Sequence, residues 1–93
     1  MNYNKIGVVG AGTMGRGIAL MLASKGLDVY LTEKTKDKLD KSMKLIHVNL
    51  DKQMEKWAVT AAEKKLILSK IHKGTLPSHV QECQLIIETI TEE

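Results

Sequence analysis

The chain has 93 residues, 43% of them hydrophobic and 27% charged, with a net charge of +3. That is one domain's worth or less, too apolar for a disordered chain and lacking any run long enough to span a membrane. The charge is too small, and the aromatic fraction of 3% too low, to argue for nucleic acid. Met1 to Lys5 run straight into the first strand and leave no room for a signal peptide. Ile6, Val8 and Val9 make residues 5–9 a short buried strand. It breaks into Gly10-x-Gly12-x-x-Gly15, and from Thr13 to about Lys25 the pattern is helical. Met14, Ile18, Met21 and Leu22 are spaced for one buried face there, with Ala19 and Ala23 keeping that face thin. Gly26 suits the left-handed residue that ends a helix. Residues 28–32 are then a second strand, which must lie parallel to the first with a right-handed crossover.

Glu33 closes that strand. Thr35 is placed to cap a long helix, with Asp37 in its first turn. Leu39, Met43, Ile46, Leu50, Met54 and Trp57 form one apolar stripe along it. The methionines read as core filling, and Trp57 as the residue that seals the far end or meets a ligand there. The many lysines, interleaved with Asp37, Asp40, Asp51 and Glu55, read as a solvated face. Thr60 to Glu63 is a capping box that starts another helix near Ala61, with Leu66 and Ile67 facing inward. So short a connection predicts an antiparallel helical hairpin. Residues 71–75 suit a third strand, and Pro77 the first turn of a short helix running to about Glu82. Cys83 stands alone, so no internal disulfide forms and a reducing, cytoplasmic location is expected. Leu85 to Ile90 form a last strand apolar enough to be covered on both faces. The expected fold is α/β, a partial Rossmann-type sheet of about four parallel strands in the order 3-2-1-4, with a long helical hairpin between strands 2 and 3.

The glycines carry the chemistry. Gly10 permits a tight turn, Gly12 lets a pyrophosphate approach the backbone, and Gly15 lets helix and strand pack closely. The helix N-terminus offers unpaired N–H groups and a positive dipole end to the anion. Glu33 lies about 20 residues downstream, where an acid accepts from a ribose diol. A carboxylate there repels a 2′-phosphate and favours NAD over NADP, although Lys34 and Lys36 could serve a phosphate if aimed inward. The plainer reading of Glu33 is a solvated acid at a strand end. Arg16 could approach the pyrophosphate, but the residue after the third glycine more often points away. No metal site is expected.

The stretch Gly10-Ala11-Gly12-Thr13-Met14-Gly15-Arg16-Gly17-Ile18-Ala19, the acid Glu33, the helix pair and residues 85–92 resemble the N-terminal part of the 3-hydroxyacyl-CoA dehydrogenases. Residues 85–92 look like that family's D-L-V-I-E-A-x-x-E segment. The resemblance implies a partial NAD-binding domain over residues 1–93, from an enzyme interconverting 3-hydroxyacyl-CoA and 3-ketoacyl-CoA by hydride transfer to NAD. It implies cofactor contacts at Gly10, Gly12, Thr13, Met14, Gly15, Glu33 and Glu92, and contacts to coenzyme A at Asn49 and Lys56. Three positions depart from the family pattern: Glu33 where Asp is usual, Gln84 where Asp is usual, and Thr89 where Ala is usual. The family's catalytic His, in an H-F-F-N-P-like stretch, and its partner Glu occur nowhere in the 93 residues. His47, His72 and His79 read instead as surface or packing histidines. The expectation is therefore a truncated chain without catalytic residues, lacking a substrate and dimerisation domain, whose full-length form is a homodimer acting on acyl-CoA. The alternatives are the cofactor domain of another β-hydroxyacid dehydrogenase, or a non-catalytic nucleotide-binding module.

Overall fold

A computed structural model of the chain describes residues 4–75, 81 and 83–89. Its elements follow in the order β1 (Lys5–Val9), α1 (Thr13–Ser24), β2 (Asp28–Thr32), α2 (Lys36–Glu55), α3 (Ala61–Ser69), β3 (Ile71–Gly74) and β4 (Leu85–Glu88). All strand pairs are parallel, and the sheet order is β3-β2-β1-β4, as expected. Ile6 pairs with Val29 and Val29 with Ile71, while Val8 pairs with Leu31. These five apolar residues therefore share one face of the sheet, because side chains alternate along a strand. Val8, Val29, Leu31 and Ile71 join Ala19 and Ala23 of α1, Leu39, Ile46 and Leu50 of α2, and Ile67 of α3 in one core. The parallel order places the carboxyl ends of β1, β2 and β4 together, and the glycine turn leaves from the middle one.

The helix boundaries follow from local chemistry. The Thr35 hydroxyl accepts from the Lys38 N–H at the start of α2, and Thr60 and Glu63 complete the capping box of α3. An ion pair between Asp51 and Lys64 ties α3 back to α2. At the end of α1, Gly26 N–H donates to Ala23 O and Leu27 N–H to Leu22 O, with Gly26 at φ +87°. That pair of bonds is a Schellman cap. The end of α2 repeats it: Trp57 N–H donates to Met54 O and Ala58 N–H to Gln53 O. Here, however, the left-handed residue is Trp57, at φ +61°, which costs a side-chain-bearing residue about 1–2 kcal/mol.

Several expectations about what faces inward are corrected. Met14 is 69% exposed, and Met21 is also exposed, so neither fills the core. The buried stripe of α1 is Gly15, Ala19 and Ala23. The helix lies too close to the sheet for larger residues, so the methionines rotate outward. Leu66 is exposed beside buried Ile67, because neighbours on a helix point about 100° apart. Trp57 seals nothing: it lies beyond the last residue of α2 and is 95% exposed. The last strand is not covered on both faces, since Leu85 and Ile86 are both exposed. Among the described residues its only strand neighbour is β1. Apart from Gln81, the helix expected from Pro77 to about Glu82 falls outside the described residues, as does Ile90. No described helix is long and apolar enough to cross a membrane.

Candidate functional site

Gly10 adopts φ +101°, a conformation open to glycine and costly for other residues. A Cβ there would lie 2.9 Å from Thr89 Oγ1 and 3.0 Å from Thr89 O. At Gly15 the constraint is closer still, since a Cβ would lie 1.8 Å from Gly10 O. The turn is thus folded back on the first helical turn. Gly12 is the N-cap of α1; no side chain caps the helix, and its first turn contains no acid. The N–H groups of Thr13, Met14 and Gly15 have no acceptor within the helix. They form an uncapped positive end at the carboxyl edge of the sheet, suited to an anion.

A set of hydrogen bonds holds this turn. Gly10 N–H donates to Thr32 O at 2.9 Å. Ala11 N–H donates to Glu33 Oε2 at 2.9 Å, and the other carboxylate oxygen accepts from Lys34 N–H at 2.9 Å. The buried Ser42 hydroxyl of α2 donates to Ala11 O at 2.6 Å. Arg16 Nη1 donates to the same carbonyl at 3.2 Å. The Thr89 hydroxyl lies 2.7 Å from Gly10 O and donates to it. Glu33 is therefore no loosely solvated acid. Partial burial raises its pKa, but the N–H donors of Ala11 and Lys34, with Lys38 and Lys34 nearby, more than offset this and hold it below the usual value. It remains an anion with lone pairs beside the cradle.

The structure thus brings together Gly10, Gly12, Thr13, Met14, Gly15 and Glu33. It adds Ser42, Arg16 and Thr89. Ser42 left a trace in the sequence, because it lies between Leu39 and Ile46 on the inward stripe of α2, where an apolar residue would be routine. Arg16 turns toward the glycine loop instead of away from it. Thr89, where the family pattern has Ala, spends its hydroxyl on the turn. Gln84 has its own task at the opposite end of the sheet, its side-chain oxygen accepting from Asn4 and Lys5 N–H groups. Glu92 and His79 lie outside the described residues.

Asn49 and Lys56 stand apart from this cradle. α2 starts three residues after Glu33 and carries Lys56 about 30 Å along its axis. Asn49 accepts from Gln53 Nε2 and borders a groove of about 300 Å³ with Gly17, Met21, Ser24, Gln53 and Ile67. Lys56 is the exposed C-cap of α2. His47 is exposed on the same helix. His72 stacks on Tyr30 at 4.8 Å between ring centres, with Nε2 3.0 Å from Asp28 Oδ1, and so serves packing. Among the described residues no group of His, Cys, Asp and Glu is arranged to hold a metal.

Residues 5–93 match the family model described as 3-hydroxyacyl-CoA dehydrogenase, NAD binding domain. The 3-hydroxybutyryl-CoA dehydrogenase of Bradyrhizobium diazoefficiens is 40% identical over 89 residues, which are 96% of this chain and 30% of that protein. That of Clostridioides difficile is 38% identical over 89 residues, or 96% of this chain and 32% of that protein. The crystal structure of (S)-3-hydroxybutyryl-CoA dehydrogenase from Ralstonia eutropha superposes with a TM-score of 0.94 at 32% identity, covering 99% of this chain and 32% of that one. The chain spans 30 to 32% of the length of these relatives.

Proposed function

The chain belongs to the family of 3-hydroxyacyl-CoA dehydrogenase NAD-binding domains, and from that membership we propose a residue-level reading of its cofactor cradle. The pyrophosphate of NAD lies on the N–H groups of Thr13, Met14 and Gly15, over the side-chain-free surface of Gly10 and Gly12. Glu33 accepts from the ribose diol of the adenosine half, and Glu92 serves the nicotinamide end. The observation that carries this reading is the bond from Ala11 N–H to Glu33 Oε2 at 2.9 Å. It places an ionised carboxylate against the turn that faces the uncapped helix end. The cradle fits the cofactor because its glycines leave the helix end free of side chains, a Cβ at Gly10 having no room beside Thr89 and one at Gly15 none beside Gly10 O, and no competing acid occupies the first turn of α1.

When bound, NAD supplies hydride acceptance; the residues of this chain bind and orient it. Ser42, Arg16 and Thr89 fix the carbonyls of Ala11 and Gly10, so the neighbouring N–H groups are already aimed before the anion arrives. Such preorganisation lowers the ordering cost of binding. Residues 1–93 are read as part of an NAD-binding domain of an enzyme interconverting 3-hydroxyacyl-CoA and 3-ketoacyl-CoA. The catalytic residues, the remaining substrate contacts and the dimer contacts are assigned to residues outside this stretch, in a homodimer in the cytoplasm. Asn49 and Lys56 on α2 are read as contacts for coenzyme A. The pair α2 and α3 favours this substrate over a small hydroxyacid, because one crossover helix would already join β2 to β3.

Calorimetric titration of the folded chain with NAD tests the cofactor reading. Saturable binding, abolished by Gly12→Val, is the expected result. A folded chain that takes up no NAD overturns it.

A further inference from the structure

The last residue of the α2 cap is unusual on two independent counts. Trp57 holds the left-handed position of a Schellman cap at φ +61°, and its side chain is 95% exposed. The same cap at the end of α1 uses Gly26. Glycine at Trp57 would remove the backbone strain and expose less apolar surface. Neither folding nor packing accounts for the indole, and strained backbone of this kind gathers where a ligand is held. The surroundings indicate which ligand. Asn49, Lys52 and Lys56 follow at i, i+3 and i+7 and so share one face of α2. All three are exposed, and among the described residues neither lysine enters an ion pair. Lys56, the last of them, is the C-cap of α2 and directly precedes Trp57.

We propose that Trp57 is a binding residue for the adenine of coenzyme A, stacking on the base while Lys52 and Lys56 meet its phosphates. The inference rests on the reading of Asn49 and Lys56 as coenzyme A contacts and adds the base-recognition element to it. An indole offers a flat apolar face that stacks on a purine, and the ammonium groups of Lys56, the preceding residue, and of Lys52, one turn before Lys56, meet phosphate as point charges. The left-handed backbone turns the chain sharply after Lys56, and the ring projects into solvent at the junction of α2 and α3.

Trp57 is the chain's one tryptophan, so its fluorescence reports this site directly. Coenzyme A is expected to quench it saturably in the 93-residue chain. Pantetheine, which lacks the base, should not, and NAD should leave it unchanged while still binding by calorimetry. Trp57→Gly should raise Tm, since strain is relieved, yet weaken coenzyme A roughly tenfold. Trp57→Phe should recover part of that loss. Coenzyme A binding seen by calorimetry without quenching, or unchanged by Trp57→Gly, overturns the role of Trp57 and leaves the Asn49 and Lys56 reading standing. Absence of any coenzyme A binding overturns both. In each case NAD titration reads the cofactor cradle separately.

Discussion

Glu33 accepts from the backbone N–H of Ala11 at 2.9 Å, joining the end of β2 to the turn that follows β1. The acid is positioned by the turn, and the turn is held by the acid. Glu33→Gln keeps the size and an acceptor oxygen but removes the charge. Hydrogen bonds to a charged group contribute about 1.5–3 kcal/mol, so NAD affinity should fall about tenfold or more. Glu33→Ala should lose at least as much and also destabilise the turn. NADH fluorescence titration and thermal unfolding of both variants check this. Equal affinity in Glu33→Gln would remove the residue from the cofactor site.

Two carboxylates should make this chain less stable in acid. Asp28 is held below its ordinary 3.8 chiefly by its hydrogen bond with His72, with Lys70 and Lys5 adding to the effect against partial burial. Glu33 lies below its ordinary 4.5, the N–H donors of Ala11 and Lys34 prevailing over burial. In both cases the folded value is lower than the unfolded one, so the unfolded chain takes up protons first as pH falls. The stabilisation is complete above about pH 5 and is lost as pH drops through the carboxylate range. Tm measured against pH should show this fall. It should be shallower in Asp28→Asn with Glu33→Gln, and an unchanged acid slope in that double variant would be incompatible with the assignment.

Ser42 is a buried hydroxyl whose proton reaches Ala11 O at 2.6 Å, with Lys38 O at 2.9 Å. Ser42→Ala leaves a buried carbonyl with fewer donors, at a cost of about 1–3 kcal/mol. Because that carbonyl belongs to the glycine turn, NAD binding should weaken along with stability. Urea unfolding and NAD titration measure the two effects. Lost stability with undiminished NAD affinity would show that Ser42 serves the core alone.

Two glycines in α1 should respond to alanine in opposite directions. At Gly15 a methyl would lie 1.8 Å from Gly10 O, whereas at Gly17 nothing lies within 4 Å. Gly15→Ala must push strand and helix apart and should cost several kcal/mol with loss of NAD binding. Gly17→Ala should stabilise by roughly 0.8–1 kcal/mol through helix propensity. Chemical denaturation of the pair decides the matter, and a stabilising Gly15→Ala would contradict the geometry of the turn.

The backbone plan was readable from the chain because it rests on local rules: glycine spacing, apolar runs, caps and the handedness of crossovers. Strand order and the placement of Glu33 follow from them. Which side chains face inward was less readable. The spacing of Met14, Ile18 and Met21 suits a buried face, but the distance between α1 and β1 is a tertiary quantity that admits only Gly15, Ala19 and Ala23. Trp57 continues the three-to-four-residue rhythm from Met54, yet a left-handed backbone ends the rhythm before it arrives. Ser42 and Thr89 could not be assigned because their partners are carbonyls of the turn, which no side-chain pattern records.

β4 supplies the last prediction. Leu85 and Ile86 point to opposite faces of the sheet, and both are exposed, Ile86 by 46%. Among the described residues β4 pairs with β1 alone, so the backbone groups of its other edge face no described strand. An apolar strand with an open edge is a template for another strand, and burying two such side chains favours association by about 25 cal/mol per Å² of apolar surface removed from water. The 93-residue chain should therefore self-associate as its concentration rises, through residues 85–88. Sedimentation velocity over a concentration series should show the weight-average mass increasing. Ile86→Lys should suppress the increase, because pairing would then bring charge against charge at the joined edges. A chain that remains monomeric at high concentration, or an Ile86→Lys variant that associates as strongly as its parent, would rule out this edge as the contact.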